Sequence, residues 1–430
     1  MLHVYRIMTG VVRITAVIVL LLLVLGFSTS GSLALDKTTQ LSDTQSEIVI
    51  GALLALTGDR SSLGEASKAA LEIAVEDTNE YLASIGSEMR MRLIIEDTKT
   101  DPAVALEKLQ NLSKEGVKIV IGPGASAEVK AVKSYADEND ILLISHASTA
   151  PSLAIPGDNV FRFCTDDTYQ AAAIANRMWD EGVSVLVPMW RGDVWGDDLT
   201  NATNESFKAL GGTVVDGVRY NVSTVNFSTA IYSLNSKVAE AIAQYGDVVA
   251  VHLIAFDEVV PIFIEAQNQS NLSDVSWYGC DATALNKELV QNDQAARFAV
   301  RTGFECPLFE CKQTDETGPA MRKIKEKLGR TPETYALAAY DALLVITRAY
   351  QATGETDDIK ALKEAVVDAA GYYYDSEDGS VLNKAGDMKQ GNYDFWVVEE
   401  AESAFMWKLV AKCVVSSHGR VRFLPTAVLP

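Results

Sequence analysis

Apolar and polar positions alternate between two periods along most of the chain. Short continuous apolar runs of four to eight residues read as buried strands, and longer stretches with apolar residues three and four apart read as amphipathic helices. The order is strand Glu47–Leu54, helix Gly64–Leu82, strand Met91–Glu96, helix Pro102–Lys114, strand Lys118–Ile121, helix Ser126–Glu138 and strand Ile141–Ser145. Val160–Cys164 reads as a crossing strand, and the pattern then restarts. Helix Tyr169–Glu181, strand Ser184–Val187, helix Gly196–Leu210, strand Thr213–Tyr220, helix Asn226–Gln244, strand Val248–Ile254, helix Glu258–Gln267 and strand Val275–Gly279 make a second unit of similar size. After Ala282 the chain turns helical, over Gly318–Leu328, Pro332–Ala352 and Thr356–Ala369, and Tyr393–Val398 and Met406–Val410 read as closing strands. Strand–helix alternation of this kind predicts an α/β fold in which each half is a mostly parallel sheet flanked by helices. Ligands of such halves sit in a cleft at the carboxyl ends of the strands.

The first 46 residues stand apart from this pattern. Arg6 and Arg13 precede the apolar run Ile14–Phe27, and Ser32-Leu33-Ala34 offers small residues where a secretory signal is cut. The run is short for a bilayer span of about 20 residues, but extending it back to Val11 brings it close. Two readings of 1–34 therefore stay open, a signal peptide or a retained N-terminal anchor, followed by a polar linker over 35–46. Either places the rest of the chain outside the cytoplasm, extracellular or at the cell surface.

Export changes how composition is read. The 430 residues carry a formal net charge of −21, and removal of 1–34, with two arginines and no acid, would leave −23. So acidic a chain repels nucleic acid and anionic lipid, and suits a solvated surface. Seven Asn-x-Ser/Thr sequons occur, at Asn111, Asn201, Asn204, Asn221, Asn226, Asn268 and Asn271. Six of them fall within 201–273, which suggests a glycosylated face on the second unit. Of the five cysteines, Cys306 and Cys311 are close enough in sequence to suggest a local disulfide in an exported protein, with Cys164–Cys280 as the less favoured link. The four histidines lie far apart and no C-x-x-C pair is present, so no metal site is expected.

The chemistry concentrates in 118–156. Strand Lys118–Ile121 runs into Gly122-Pro123-Gly124-Ala125-Ser126, and strand Ile141–Ser145 into His146-Ala147-Ser148-Thr149-Ala150-Pro151. A hydroxyl-bearing helix start offers free N–H groups and a favourable dipole. Two such starts on neighbouring parallel strands converge on one small anion, such as a carboxylate. Enzyme signatures are missing: the first strand lacks G-x-G-x-x-G, Gly124-Ala125-Ser126-Ala127-Glu128 lacks the final Gly of G-x-S-x-G, and no P-loop occurs. No catalytic residue and no cofactor is assigned.

Ordered pieces over about 47–410 resemble a known family. They are Gly51-Ala52-Leu53-Leu54-Ala55-Leu56-Thr57-Gly58, Glu96-Asp97-Thr98-Lys99-Thr100-Asp101-Pro102, the two turns above, Phe161-Arg162, Trp195-Gly196 and Tyr278-Gly279-Cys280-Asp281. In order and spacing the chain resembles the type I periplasmic and extracellular solute-binding proteins of ABC transporters, nearest the Leu/Ile/Val-binding class. The resemblance implies a two-lobed fold with hinge strands, lobe 1 from 47–162 plus 300–375 and lobe 2 from 163–299 plus 376–412, with 413–430 as a C-terminal tail. The restart of the strand–helix pattern near 165 and the helical return after 282 predict three crossings between the lobes, near 162–168, 280–302 and 370–395. The resemblance places Ser126, Ala147 and Thr149 at the ligand's α-carboxylate, Ala147 through its backbone alone, Asp281 at the α-ammonium, and Trp195 and Phe256 over the ligand. Leu63 stands where the branched-chain binders have a bulky aromatic, and Arg191 and Asp193 add charge near the cleft. The function implied is capture of an amino acid or amide-like solute for delivery to ABC permease subunits. The ligand domain of a surface sensor is the alternative reading, and an α/β enzyme a more distant one.

Overall fold

A computed structural model describes residues 46–311, 317–354, 358–374, 381–402, 404–416 and 419–425. The proposed signal or anchor and nearly all of the linker lie outside the described residues.

The first unit runs β1 (Ser46–Leu54), α1 (Ser61–Ser84), β2 (Met89–Asp97), α2 (Pro102–Lys114), β3 (Ile119–Ile121), α3 (Ser126–Glu138), β4 (Leu142–Ser145) and β5 (Val160–Arg162). Its five strands form one parallel sheet in the order β2-β1-β3-β4-β5. The apolar runs are short and unbroken because both faces of this sheet are covered: β3 and β4 are buried along their whole length. Helix α2 starts where the sequence predicts, with Pro102 in its first turn and Asp101 accepting from the N–H groups of Ala103 and Val104.

The second unit runs α4 (Asp167–Asp180), β6 (Val185–Arg191), α5 (Val194–Ala209), β7 (Thr213–Val214), β8 (Val218–Tyr220), α6 (Ser228–Tyr245), β9 (Val249–Ile254), α7 (Val259–Ala266), α8 (Ser270–Ser273) and β10 (Ser276–Tyr278). It continues through α9 (Lys287–Gln291), α10 (Asp293–Thr302) and β11 (Glu305–Glu310). The chain then forms α11 (Thr317–Leu328), α12 (Thr334–Thr353) and α13 (Ile359–Tyr373), and ends in β12 (Gly391–Ala401), β13 (Ala404–Val415) and β14 (Val421–Phe423). The second sheet has the order β14-β13-β12-β11-β10-β9-β6-β7, with β8 also on β6. It is parallel from β7 to β11 and antiparallel from β11 to β14. The expected strand over 213–220 is two short strands, both paired to β6.

Helices α11 and α12 pack on α1, so the chain does return to the first unit. Lys327 pairs with Glu72 at 2.7 Å across that contact, and Tyr340 donates to Asp77 at 3.0 Å. The return comes later than the sequence predicts. Residues 280–302 hold α9 and α10, which pack against α7 and β13, and β11 joins the second sheet between β10 and β12. Glu305–Glu310 thus belongs with the second sheet and not with 300–375 of the first lobe. Its apolar core is only Cys306–Phe309 between two glutamates, too short to announce a central strand. The C-terminal residues also depart from a tail, since Val421–Phe423 adds a strand to the edge of β13.

Arg162, at the end of β5, meets Asp387 at 2.5 and 2.7 Å, both side chains fully buried. The pair joins the first crossing to the last. All five cysteines are buried free thiols. The expected Cys306–Cys311 link is not made, because five residues along an extended strand span roughly 16 Å, against the ~6 Å a disulfide allows. Cys306 instead lies 3.2 Å from the Thr283 hydroxyl, and Cys311 donates to Thr334 O at 3.4 Å. Cys164 and Cys280 are likewise unbridged. Among the described residues no helix is long and apolar enough to cross a membrane, and no cluster of His, Cys, Asp and Glu would hold a metal.

Candidate functional site

The loops after β3 and β4 are laced together. Ser145 donates to Pro123 O at 2.6 Å and accepts from Ser148 N at 3.1 Å. Ser126 and Ser148 share a hydroxyl contact of 2.9 Å, and Ala150 N reaches Ser126 Oγ at 3.3 Å. Only glycine fits at position 122, where φ is +97° and a Cβ would fall 2.2 Å from Leu53 O. These contacts bring Ser126, at the start of α3, beside Thr149, but the helix expected after Pro151 is only the three-residue 3-10 turn Pro151–Leu153. Ser126 and Thr149 are both buried, as is Ala147, which packs into the main core.

From Thr149 a chain of side chains crosses to the second unit. Its hydroxyl lies 2.9 Å from Asp167 Oδ2, at the start of α4. Asp167 Oδ1 accepts from Gln170 Nε2 at 2.7 Å, and Gln170 Oε1 accepts from the Asp281 N–H at 2.9 Å. Asp281, after β10, accepts from Ala282 N at 2.9 Å and from the Tyr335 hydroxyl at 2.5 Å. Tyr335 belongs to α12, so Asp281 contacts the helical return segment that packs on the first unit. Burial pushes the Asp167 carboxyl well above the usual range, and the nearby Asp281 charge adds to that. Burial also raises Asp281, opposed by the Tyr335 hydrogen bond and the Arg60 charge. The Thr149 hydroxyl donates to Asp167 Oδ2 and opposes the rise at Asp167.

Trp195 and Phe256 stack with ring centroids 4.7 Å apart, buried against Ala125, Ala171, Leu199, Ile254 and Cys280. Ala125 immediately precedes Ser126, so the aromatic pair lies beside the first helix start. Asp193 caps α5 through Gly196 N at 2.9 Å, which fixes where Trp195 leaves the chain. The Arg191 guanidinium lies 3.8 Å over Phe256, and its charge is consumed within the protein: Asp193 at 2.7 Å, Glu258 at 2.6 Å and Asp59 of the β1–α1 loop at 3.7 Å. Asp257 N also reaches Asp59 O at 2.9 Å, a second tie between the two units.

A narrow pocket, with room for about one water, lies here. Arg60, Ser62 and Leu63 line it from the first unit, Asp257, Asp281 and Ala282 from the second, and Glu333 and Tyr335 from the start of α12. Burial, with Glu288, Glu258 and Glu333 nearby, pushes Asp257 up to about 7. Of the six residues named from the sequence, Asp281 lines this pocket. Thr149 connects to it through the hydrogen-bonded chain, Ser126 is tied instead to Ser148 and Ala150 of the turn after β4, and Trp195, Phe256 and Ala147 lie in the packing around it. Sequence reasoning missed Arg60, Asp167, Gln170, Asp257 and Tyr335. Asp167 lies just before the helix predicted over Tyr169–Glu181, Tyr335 within the one predicted over Pro332–Ala352, and Arg60 between the first predicted strand and helix.

The family model described as periplasmic binding protein matches residues 47–399. An uncharacterized protein of Methanocaldococcus jannaschii is 32% identical over 390 residues, which cover 87% of this chain and 91% of that protein. The Leu/Ile/Val-binding protein homolog 3 of Brucella melitensis is 24% identical, over 81% of this chain and 91% of its own length. Among solved structures, the leucine binding protein LivK of Thermotoga maritima has the same fold, with a TM-score of 0.67 at 20% identity over 88% of this chain and 98% of that one.

Proposed function

The chain belongs to the periplasmic binding protein family, and we propose that it captures an amino acid or amide-like solute in the inter-lobe cleft for an ABC importer. The observation that carries this reading is Asp281: a buried carboxylate from the second sheet that faces the pocket and holds the Tyr335 hydroxyl. Two donors leave it further lone pairs for an ammonium. In this reading Ser126 at the start of α3, with Thr149 and the Ala147 backbone in the turn after β4, receives the α-carboxylate. Trp195 and Phe256 form the lid. Closure gains because the carboxylate and ammonium contacts come from different lobes and exist together only in the closed state. A buried ammonium also relieves the crowding of Asp281 against Asp167. Export through the Ile14–Phe27 segment and attachment of glycans at the exposed Asn201, Asn221, Asn226 and Asn268 belong to the same proposal.

The test is a thermal-shift screen of amino acids, amides and short peptides against the exported form, followed by calorimetry. A ligand at 100 times its Kd should stabilise the protein by about 2.7 kcal/mol. Asp281→Ala should weaken an amino acid roughly 10- to 150-fold, and its deaminated analogue hardly at all. Silence across the screen, or an Asp281→Ala protein that binds the amino acid as the parent does, refutes the head-group assignment.

A further inference from the structure

Among the described residues three arginines are buried, and they differ in one respect. Arg162 is paired with Asp387, and Arg191 with Asp193, Glu258 and Asp59. Arg60 is 7% exposed and forms no ion pair with any described carboxylate. Its Nη1 donates to Gly124 O at 2.9 Å, and its Cζ lies 4.6 Å from the Phe256 ring centroid. A guanidinium has five N–H donors, and Arg60 lines the pocket that Asp281, Asp257, Glu333 and Tyr335 also line.

An unpaired cation in a closing cleft is expensive, because an aromatic face offsets only part of its desolvation. The acids that feel the Arg60 charge are Asp281 and Glu128. Asp281 is held by Tyr335, and Glu128 is buried with its Oε2 on Ala125 N at 3.3 Å. Neither comes within ion-pair distance of Arg60. The position of the guanidinium matters as much as its charge. Gly124 belongs to the loop that enters α3, so Arg60 stands at the same helix start as Ser126, where the dipole already favours an anion.

We propose that Arg60 is a ligand-binding residue that takes a carboxylate of the solute as an ion pair, at the opposite end of the pocket chemistry from Asp281. This rests on the reading of the cleft as a small-solute site. A zwitterion then neutralises both unpaired charges on closure, ammonium to Asp281 and carboxylate to Arg60. The carboxylate has two sources, the α-carboxylate or an acidic side chain, and the same experiment separates them.

Calorimetry is run on the parent, Arg60→Gln and Arg60→Lys with leucine, leucinamide, glutamate, glutamine and 4-hydroxybenzoate. Arg60→Gln should weaken the best-bound carboxylate roughly 10- to 150-fold while changing its amide counterpart less than about threefold. Arg60→Lys should recover part of the loss, since it keeps charge but not the planar fork. Loss of leucine binding with leucinamide unchanged assigns the α-carboxylate. Loss of glutamate but not glutamine binding assigns the side chain. A merely structural role for Arg60 would lower acid and amide alike, and that result overturns the proposal. So does an Arg60→Gln protein that binds the acid within twofold of the parent, or a parent that binds none of the carboxylates. If the parent takes 4-hydroxybenzoate but no amino acid, the ammonium assignment at Asp281 fails, while Arg60 is judged by the same loss on substitution.

Discussion

Removing the Asp387 carboxylate should be among the most damaging single changes in this protein. The side chain and its partner Arg162 are both about 1% exposed, and the contact is bidentate. In Asp387→Ala the guanidinium keeps only the Ser148 carbonyl at 3.2 Å and the Ala150 carbonyl at 2.8 Å. A buried cation stripped of its anion costs about 3–5 kcal/mol, a fifth or more of the ~5–15 kcal/mol that holds a typical domain together. Asp387→Asn should cost less, about 1.5–3 kcal/mol, because one acceptor survives while the charge is lost. The double variant Arg162→Met/Asp387→Leu should recover most of the loss, since it leaves no unpaired charge. Urea unfolding followed by far-ultraviolet circular dichroism of the ligand-free protein reads all three. A loss under about 1 kcal/mol for Asp387→Ala, or a double variant no better than the single one, would refute the reasoning. Ligand affinity should fall too, because Arg162 holds the carbonyls on either side of Thr149.

Two further outcomes follow from other positions. Burial raises Asp257 to about 7, above the ~3.9 of an unfolded aspartate. The native state therefore holds a proton that the unfolded chain has released, and stability falls as pH rises from about 4 to about 7. Asp257→Asn removes this dependence, so its melting temperature should exceed the parent's by more at about pH 8 than at about pH 5; an equal gap at both would disprove it. At Gly64 a Cβ would sit 1.9 Å from Ala55 O, so Gly64→Ala must push α1 off β1. Overpacking of that kind costs about 1–3 kcal/mol in urea unfolding, whereas Gly318→Ala, with open space around it, should be neutral or slightly stabilising.

The architecture was legible where local and tertiary preferences agree. Helix Ser126–Glu138 has the predicted limits, and β4 starts one residue inside its predicted run, because a turn and an apolar period mark both ends. Val218–Tyr220 separated from Thr213–Val214 because Asp216 and Gly217 break an otherwise strand-like run. Glu305–Glu310 went unrecognised as a central strand because a four-residue apolar core says nothing about its neighbours. The site divides along similar lines. Ser126, Thr149 and Asp281 follow strand ends and carry polar groups in turns, which makes them visible. Tyr335 sits among alanines and leucines on a helix buried on most sides, and only the tertiary fold turns its hydroxyl toward Asp281. Arg191 attracts attention as a charge near the cleft, yet three acids, two from its own unit and Asp59 from the other, absorb it. Arg60 attracts none, and what sets it apart is the lack of an anion beside it, which no linear pattern encodes.

The five unpaired cysteines carry a consequence for handling the molecule. Burial pushes every one of them upward, Cys280 and Cys413 to about 12, so almost no thiolate exists at neutral pH. Folded, the protein is inert to alkylating reagents and to disulfide exchange even in an oxidising medium. Unfolded, it presents five ordinary thiols able to cross-link in the wrong pairs. In the exported form proposed above, collapse has to precede oxidation. The same arrangement makes each cysteine a clock for local opening. Cys164 times the crossing after β5, Cys306 and Cys311 time β11, and Cys413 times the late hairpin. Cys280, one residue before Asp281 and under the Trp195–Phe256 pair, times the cleft, and a bound solute should slow that clock first.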